Sequence, residues 1–176
     1  ITVSGSHGKS TTSAMLGLVL TQNKFDPTVV LGTNLKNFGG VNFRRGHSDW
    51  LVLEADEWQA SFLKYFPVIA VITNIDKEHL DYYKNYTNVK KTFLVFLKNI
   101  KNGGNLVLNQ DDPGIFSIKS SILKLARKNK IKLNWYSIKT KNGKLKAEKL
   151  KKVLKVAGEH NVSNAMAALT VGNILN

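Results

Sequence analysis

The stretch GSHGKST, residues 5–11, puts two glycines, a lysine and hydroxyl side chains where the apolar run ITVS hands over to a helical pattern. Glycines at such a junction let backbone N–H groups curl around an anion, with the positive end of the helix dipole behind it. Lys9 would then reach the outer phosphates of a nucleotide, and the Ser10 hydroxyl would ligate a bridging Mg²⁺. The competing reading, a glycine-rich turn with an incidental lysine, is disfavoured by the position of Gly-Lys-Ser-Thr between strand and helix. The spacing G-x-x-G-K-S-T is shorter than the usual phosphate-binding loop. That loop has glycine five residues before Gly-Lys, where this chain has Val3.

Four further stretches carry polar groups in patterned positions. LVLEADEW ends an apolar run in acids, and strand alternation places Glu54 and Asp56 on one side. Buried carboxylates need a cation or hydrogen-bond donors, so either could help hold a metal; solvated loop acids are the alternative. TNIDKEHLDYY follows the next apolar run and flanks His79 with Glu78 and Asp81. A lone histidine is more often a packing or surface residue, but a strand end among acids also suits a ligand. In NLVLNQDDPG, Asp111-Asp112-Pro113 reads as a helix start. In GEHNVSNAMAA, His160 and Asn164 share one face of a first helical turn beside Asn161. Side-chain amides can both donate to and accept from an adenine edge, and Asn is a poor choice inside an alanine-rich helix. Helix capping by Asn161 explains that residue equally well.

These motifs, in this order and across almost the whole chain, resemble the Mur ligase family, whose members form amide bonds at the expense of ATP. The loop is similar to GTHGKTT of the members that join L-alanine to UDP-N-acetylmuramate, and His7 stands where most relatives carry Asn. Ser6 and Ser10 replace threonines and keep the hydroxyls. The resemblance implies a nucleotide held by Gly5, Ser6, His7, Gly8, Lys9, Ser10 and Thr11, with His160, Asn161 and Asn164 at the adenine. It places Ser10 on a first Mg²⁺ and Glu54 with His79 on a second, and gives Lys9, Glu54 and His79 the catalytic roles. Trp58 and Gln59 depart from the family's Ser-Asp, which leaves Glu57 without an assigned role, and Glu78 replaces an Asp. Several relatives carry a carbamylated lysine further on; the L-alanine branch lacks it, and Lys90 and Lys91 are poor candidates. Asp111 and Asp112 match a segment near the nucleotide's sugar.

The resemblance further implies UDP-N-acetylmuramate and L-alanine as substrates, with a murein peptide in place of L-alanine as the in-family alternative. It implies flanking domains of the same polypeptide, an amino-terminal UDP-sugar-binding one and a carboxy-terminal one. Residues 1–176 are then the central ATP-binding domain, an internal piece expected to be inactive alone.

Alternating strands and helices must position these groups. Apolar runs at residues 1–5, 27–32, 50–55, 68–75, 105–110 and 132–138 read as strands. Helical patterns are expected near residues 11–22, 89–99 and 115–129, and from about His160 onward. This predicts an α/β fold with a mainly parallel central sheet flanked by helices, of the P-loop nucleotide-binding type, with ligands beyond the carboxyl ends of the strands. The stretch KTKNGKLKAEKLKKV is expected as an edge hairpin or mobile loop. It is shorter than the insert that forms a small extra sheet in the family.

At 176 residues, 43% hydrophobic, the chain suits one globular core. It has no cysteine, hence no disulfide or thiolate site, and no export signal or membrane-length apolar run, which fits a cytoplasmic protein. The net charge of +14 attracts phosphates of any kind. Fourteen basic residues lie from Lys119 to Lys155 against Glu148 alone, without interleaved stacking aromatics. A solvated helix face plus a lysine-rich loop is the favoured reading over a nucleic-acid surface.

Overall fold

The computed structural model describes residues 1–175. Seven strands form one sheet: β1 (Thr2–Ser4), β2 (Thr28–Leu35), β3 (Val41–Arg44), β4 (Leu51–Glu54), β5 (Ile69–Ile72), β6 (Asn105–Asn109) and β7 (Lys132–Tyr136). Their spatial order is β3-β2-β4-β1-β5-β6-β7, and every pairing is parallel except β2 with β3. The register is what gathers the motifs. Val3 of β1 lies opposite Glu54 of β4 and Val71 of β5, so the segments after these central strands emerge at the same carboxyl edge.

Strand alternation feeds two cores. Val3, Val29, Val52, Val71 and Val107 face α1 (Lys9–Gln22) and α7 (Glu159–Leu175), packing on Leu16, Leu20, Ala167 and Val171. Ala70, Ile72, Leu106 and Leu108 face the other side, towards a 3-10 segment (Trp58–Lys64) and the helices α3 (Tyr86–Leu97) and α5 (Lys119–Lys128). Central strands covered on both faces explain their nearly unbroken apolar sequence. Short α2 (Leu80–Tyr83) and α4 (Pro113–Ser117) follow β5 and β6.

Three local expectations need correction. Residues 141–153 form neither hairpin nor loop but a helix, α6 (Lys141–Val153), between β7 and α7. Gly143, Ala147 and Leu150, three to four residues apart, give it one narrow covered stripe, and the Thr140 hydroxyl caps it by accepting from Gly143 N at 3.2 Å. The single helix expected over residues 115–129 is two, separated at Ile118. The second strand runs on to Leu35 and turns back through β3, adding the one antiparallel edge. Among the described residues, no helix is long and apolar enough to cross a membrane.

Candidate active site

The turn between β1 and α1 is built by what touches it. Gly5 (φ +135°) and Gly8 (φ +80°) take conformations that L side chains rarely adopt. A Cβ on Gly5 would stand 2.2 Å from Thr73 Oγ1, and one on Gly8 would stand 2.5 Å from Asn164 Oδ1. The loop is thus wedged between the end of β5 and the first turns of α7. Thr73 Oγ1 and Asn74 Nδ2 donate to the His7 carbonyl at 2.7 and 2.9 Å, while His7 N donates to Asn74 Oδ1 at 2.8 Å. Ser6 Oγ accepts from Asp76 N at 2.9 Å. The His7 ring is exposed, with Nε2 3.6 Å from Asp76 and 3.7 Å from Glu78.

Beneath the loop, two acid pairs converge. Ser10 Oγ donates to Glu54 Oε1 at 2.9 Å, and Glu54 Oε2 accepts from Gly32 N at 2.8 Å. Lys9 Nζ donates to the Gly5 carbonyl and to Glu57 Oε2, both at 2.9 Å, and lies 3.8 Å from Asp56. Glu57 is 1% exposed, and its Oε1 has no hydrogen-bond partner. Burial raises the Glu57 carboxyl above its ordinary range, and the Lys9 ammonium opposes this only in part. His79 Nε2 lies 3.7 Å from that same Oε1, and Asp56, Glu57 and His79 could together hold a cation.

The backbone around this cluster is strained. His79 sits in the left-handed region at φ 54°, and Gln59 and Ala60 do so consecutively at 49° and 55°. Trp58 lays its ring edge-on to the His79 ring at 4.9 Å between centroids. Tyr83 donates its hydroxyl to the Glu57 carbonyl, and burial pushes that phenol up to about 12.

On the other side of Gly8 opens a cleft of about 270 Å³, lined by His7, Thr73, Asn74, Asn109, His160 and Asn164 among others. Asn164 is buried at its wall and His160 is exposed at its rim.

The residues expected at the site therefore fall into connected groups. His7 and Gly8 join His160 and Asn164 around the cleft, Gly5 and Ser6 pack against the segment after β5, Ser10 and Thr11 open the first turn of α1, and Ser10 meets Glu54. Glu54 is engaged with Ser10 and Gly32, whereas His79 faces Glu57 and Trp58. Asn161 turns its amide to the Ala157 carbonyl at 2.6 Å and is not a cleft wall. Asp112 caps α4 and Asp111 accepts from Ser137 Oγ and Ile138 N, both at 2.7 Å, so these acids are occupied structurally. Sequence reasoning missed Glu57, Thr73 and Asn74. The available signal for Glu57 was a third acid beside a strand end; for the other two it was a polar pair closing a fully apolar strand.

The model of the Mur ligase middle domain matches residues 3–172. The UDP-N-acetylmuramate–L-alanine ligase of Dictyoglomus turgidum is 40% identical over 194 residues, covering 99% of this chain and 40% of the relative. Among solved structures, the UDP-N-acetylmuramate-alanine ligase of Thermotoga maritima aligns at TM-score 0.73 and 26% identity, over 99% of this chain and 41% of that one. The UDP-N-acetylmuramate:L-alanyl-gamma-D-glutamyl-meso-diaminopimelate ligase from Neisseria meningitides aligns at 0.76 and 22%, over 100% and 61% respectively. The chain thus spans about 40% of the length of the curated relatives it matches.

Proposed function

Because this chain belongs to the Mur ligase family, whose middle domain it carries, we propose that it is the nucleotide-binding core of an ATP-dependent ligase joining L-alanine to UDP-N-acetylmuramate. The observation that carries this reading is the convergence of Lys9, Ser10, Glu54 and Glu57 under one glycine turn, on a chain 40% identical to an L-alanine ligase.

A carboxylate is a poor electrophile because its leaving group would be oxide. The reaction therefore passes the γ-phosphoryl group to a muramoyl carboxylate oxygen, giving an acyl phosphate and ADP. The alanine amine then attacks the acyl carbon, phosphate leaves with the electron pair of the broken C–O bond, and the amine gives up a proton. Two anions must meet in the first step, so positioning and charge neutralisation are the protein's main contribution. Ser6 N and His7 N are bonded to Asn74, so Gly8 and the first turn of α1 are left to offer backbone N–H groups to the phosphates, and Lys9 brings its ammonium to them.

The residues present fit Mg²⁺. Ser10 Oγ and Glu54 Oε1 are hard oxygens 2.9 Å apart, and the buried unpartnered Glu57 Oε1 faces His79. Ser10 with Glu54 would hold one ion and His79 would join a second. When bound, Mg²⁺ supplies Lewis-acid neutralisation of the phosphoryl oxygens. The cleft beside Asn164 takes the adenine, with the Asn164 amide able both to donate and to accept. A cytoplasmic location accords with this chemistry.

The test is phosphate release from ATP by the intact protein. Release is expected only when UDP-N-acetylmuramate and L-alanine are both present, and Lys9→Ala should abolish it. Release driven by a murein tripeptide in place of L-alanine would reassign the amine substrate. ATP affinity unchanged by Lys9→Ala would overturn the nucleotide site itself.

A further inference from the structure

Glu57 is the buried ionisable group whose pairing with Lys9 the ligase reading leaves unexplained. It is 1% exposed, carries its charge against Lys9 Nζ at 2.9 Å, and leaves Oε1 with no donor while His79 Nε2 stands 3.7 Å away. In this arrangement the lysine that should hold phosphate is folded back. It is 13% exposed and bonded to the Gly5 carbonyl and Glu57 instead of projecting into the mouth of the turn. The two roles conflict. An ammonium that moves to a polyphosphate abandons a buried carboxylate, and a buried carboxylate without a counter-charge is strongly disfavoured.

We infer that Glu57 is an exchange ligand: it holds Lys9 until polyphosphate takes the ammonium, and then turns with His79 to a divalent cation. The inference rests on the ligase reading's assignment of phosphate to the turn. Neighbouring features suit it. Asp56 Oδ1 lies 3.8 Å from Lys9 Nζ and belongs to the same three-residue cluster, so the receiving site has a second oxygen donor. The left-handed backbone at His79 and the edge-on Trp58 ring hold the imidazole towards Oε1. Tyr83, bonded to the Glu57 carbonyl, fixes the main chain so that only the side-chain charge changes partner. Nucleotide and cation then bind cooperatively by linkage, each strengthening the other by the same factor.

The experiment uses the intact protein, AMP-PNP and Mn²⁺. In the wild type, saturating Mn²⁺ should tighten AMP-PNP on the order of tenfold, within the usual range of such couplings. Glu57→Gln removes the charge that must be re-paired. Metal-free AMP-PNP should then bind severalfold tighter than in the wild type, and Mn²⁺ counted by electron paramagnetic resonance in the AMP-PNP complex should fall by one ion. Metal-free affinity within twofold of wild type, with the Mn²⁺ count unchanged, would overturn the exchange. A wild-type crystal structure with AMP-PNP and Mn²⁺ decides the matter without a variant: Lys9 Nζ still within hydrogen-bond distance of Glu57 refutes it, and Glu57 on the metal supports it. Failure of the ligase reading is separate, because Lys9→Ala would then leave AMP-PNP affinity intact.

Discussion

Lys9 and Glu57, forty-eight positions apart in the chain, meet at 2.9 Å beneath the glycine turn, and the carboxylate is almost fully buried. Burial raises the Glu57 carboxyl more than Lys9 lowers it, so ionising it is harder in the folded protein than in the unfolded chain. A raised carboxyl binds its proton more tightly folded than unfolded. Its contribution to stability is present below the unfolded value of about 4.3 and is lost as pH rises through the raised folded value. Glu57→Gln should therefore melt at or above the wild-type temperature at pH 7, with the advantage shrinking as pH falls towards 4. Paired thermal melts across that window check the sign. A variant markedly less stable at pH 7 would mean that the ion pair stabilises the fold on balance.

The Gly8 turn can be separated into backbone strain and contact. Gly8 and Gly39 have nearly the same positive φ, 80° and 81°, but a Cβ on Gly39 meets nothing within 4 Å while one on Gly8 meets Asn164. Gly39→Ala should cost about 1–2 kcal/mol, the left-handed penalty of an L residue. Gly8→Ala should cost more and should also weaken ATP-analogue binding, because it pushes Asn164 into the cleft. Denaturant unfolding and calorimetric titration of both variants give the comparison. Equal costs with unaltered binding would mean that Asn164 yields freely.

Asp112 offers a test of structural against ligand duty. Its Oδ1 accepts from Ile115 N at 2.7 Å and from Ile75 N at 3.2 Å, tying the start of α4 to the exit of β5. Asp112→Ala should lower stability by about 1–2 kcal/mol, as for other lost caps. It should leave the dissociation constant for ATP analogues within twofold, provided it is measured well below the melting range. A tenfold loss of nucleotide affinity would place Asp112 on the ligand.

Much of the fold was legible because central strands such as Ile69–Ile72 are buried on both faces and so read as apolar runs whatever their partners. The turn was legible for a related reason: few uses other than anion binding demand Gly, Lys and Ser between strand and helix. The Glu57 arrangement was hidden because local sequence does not say which of three neighbouring acids turns inward. That choice depends on Gln59 and Ala60 accepting left-handed backbone and on Phe62 packing against Phe93 and Phe96. Helix α6 was hidden because its covered stripe is only Gly143, Ala147 and Leu150, too weak a pattern to outweigh its lysines.

That helix carries a further expectation. Lys146, Lys149 and Lys152 follow one another at three-residue spacing on one side, and the ion pair of α6 is Glu148 with Lys151 at 2.9 Å. Like charges so placed repel, and mobile salt screens exposed charges over roughly 8–10 Å at physiological strength. Amides of α6 should therefore gain protection from hydrogen exchange as NaCl rises from low to moderate concentration, while those of β5 stay constant. Lys149→Glu replaces two repulsions by two attractions and should stabilise α6 by about 0.5–1 kcal/mol, at the usual few tenths per exposed pair. It should also remove most of the salt response. If protection in α6 ignores both salt and the substitution, its stability comes from the Ala147 stripe on α7 and not from the balance of charge along its exposed side.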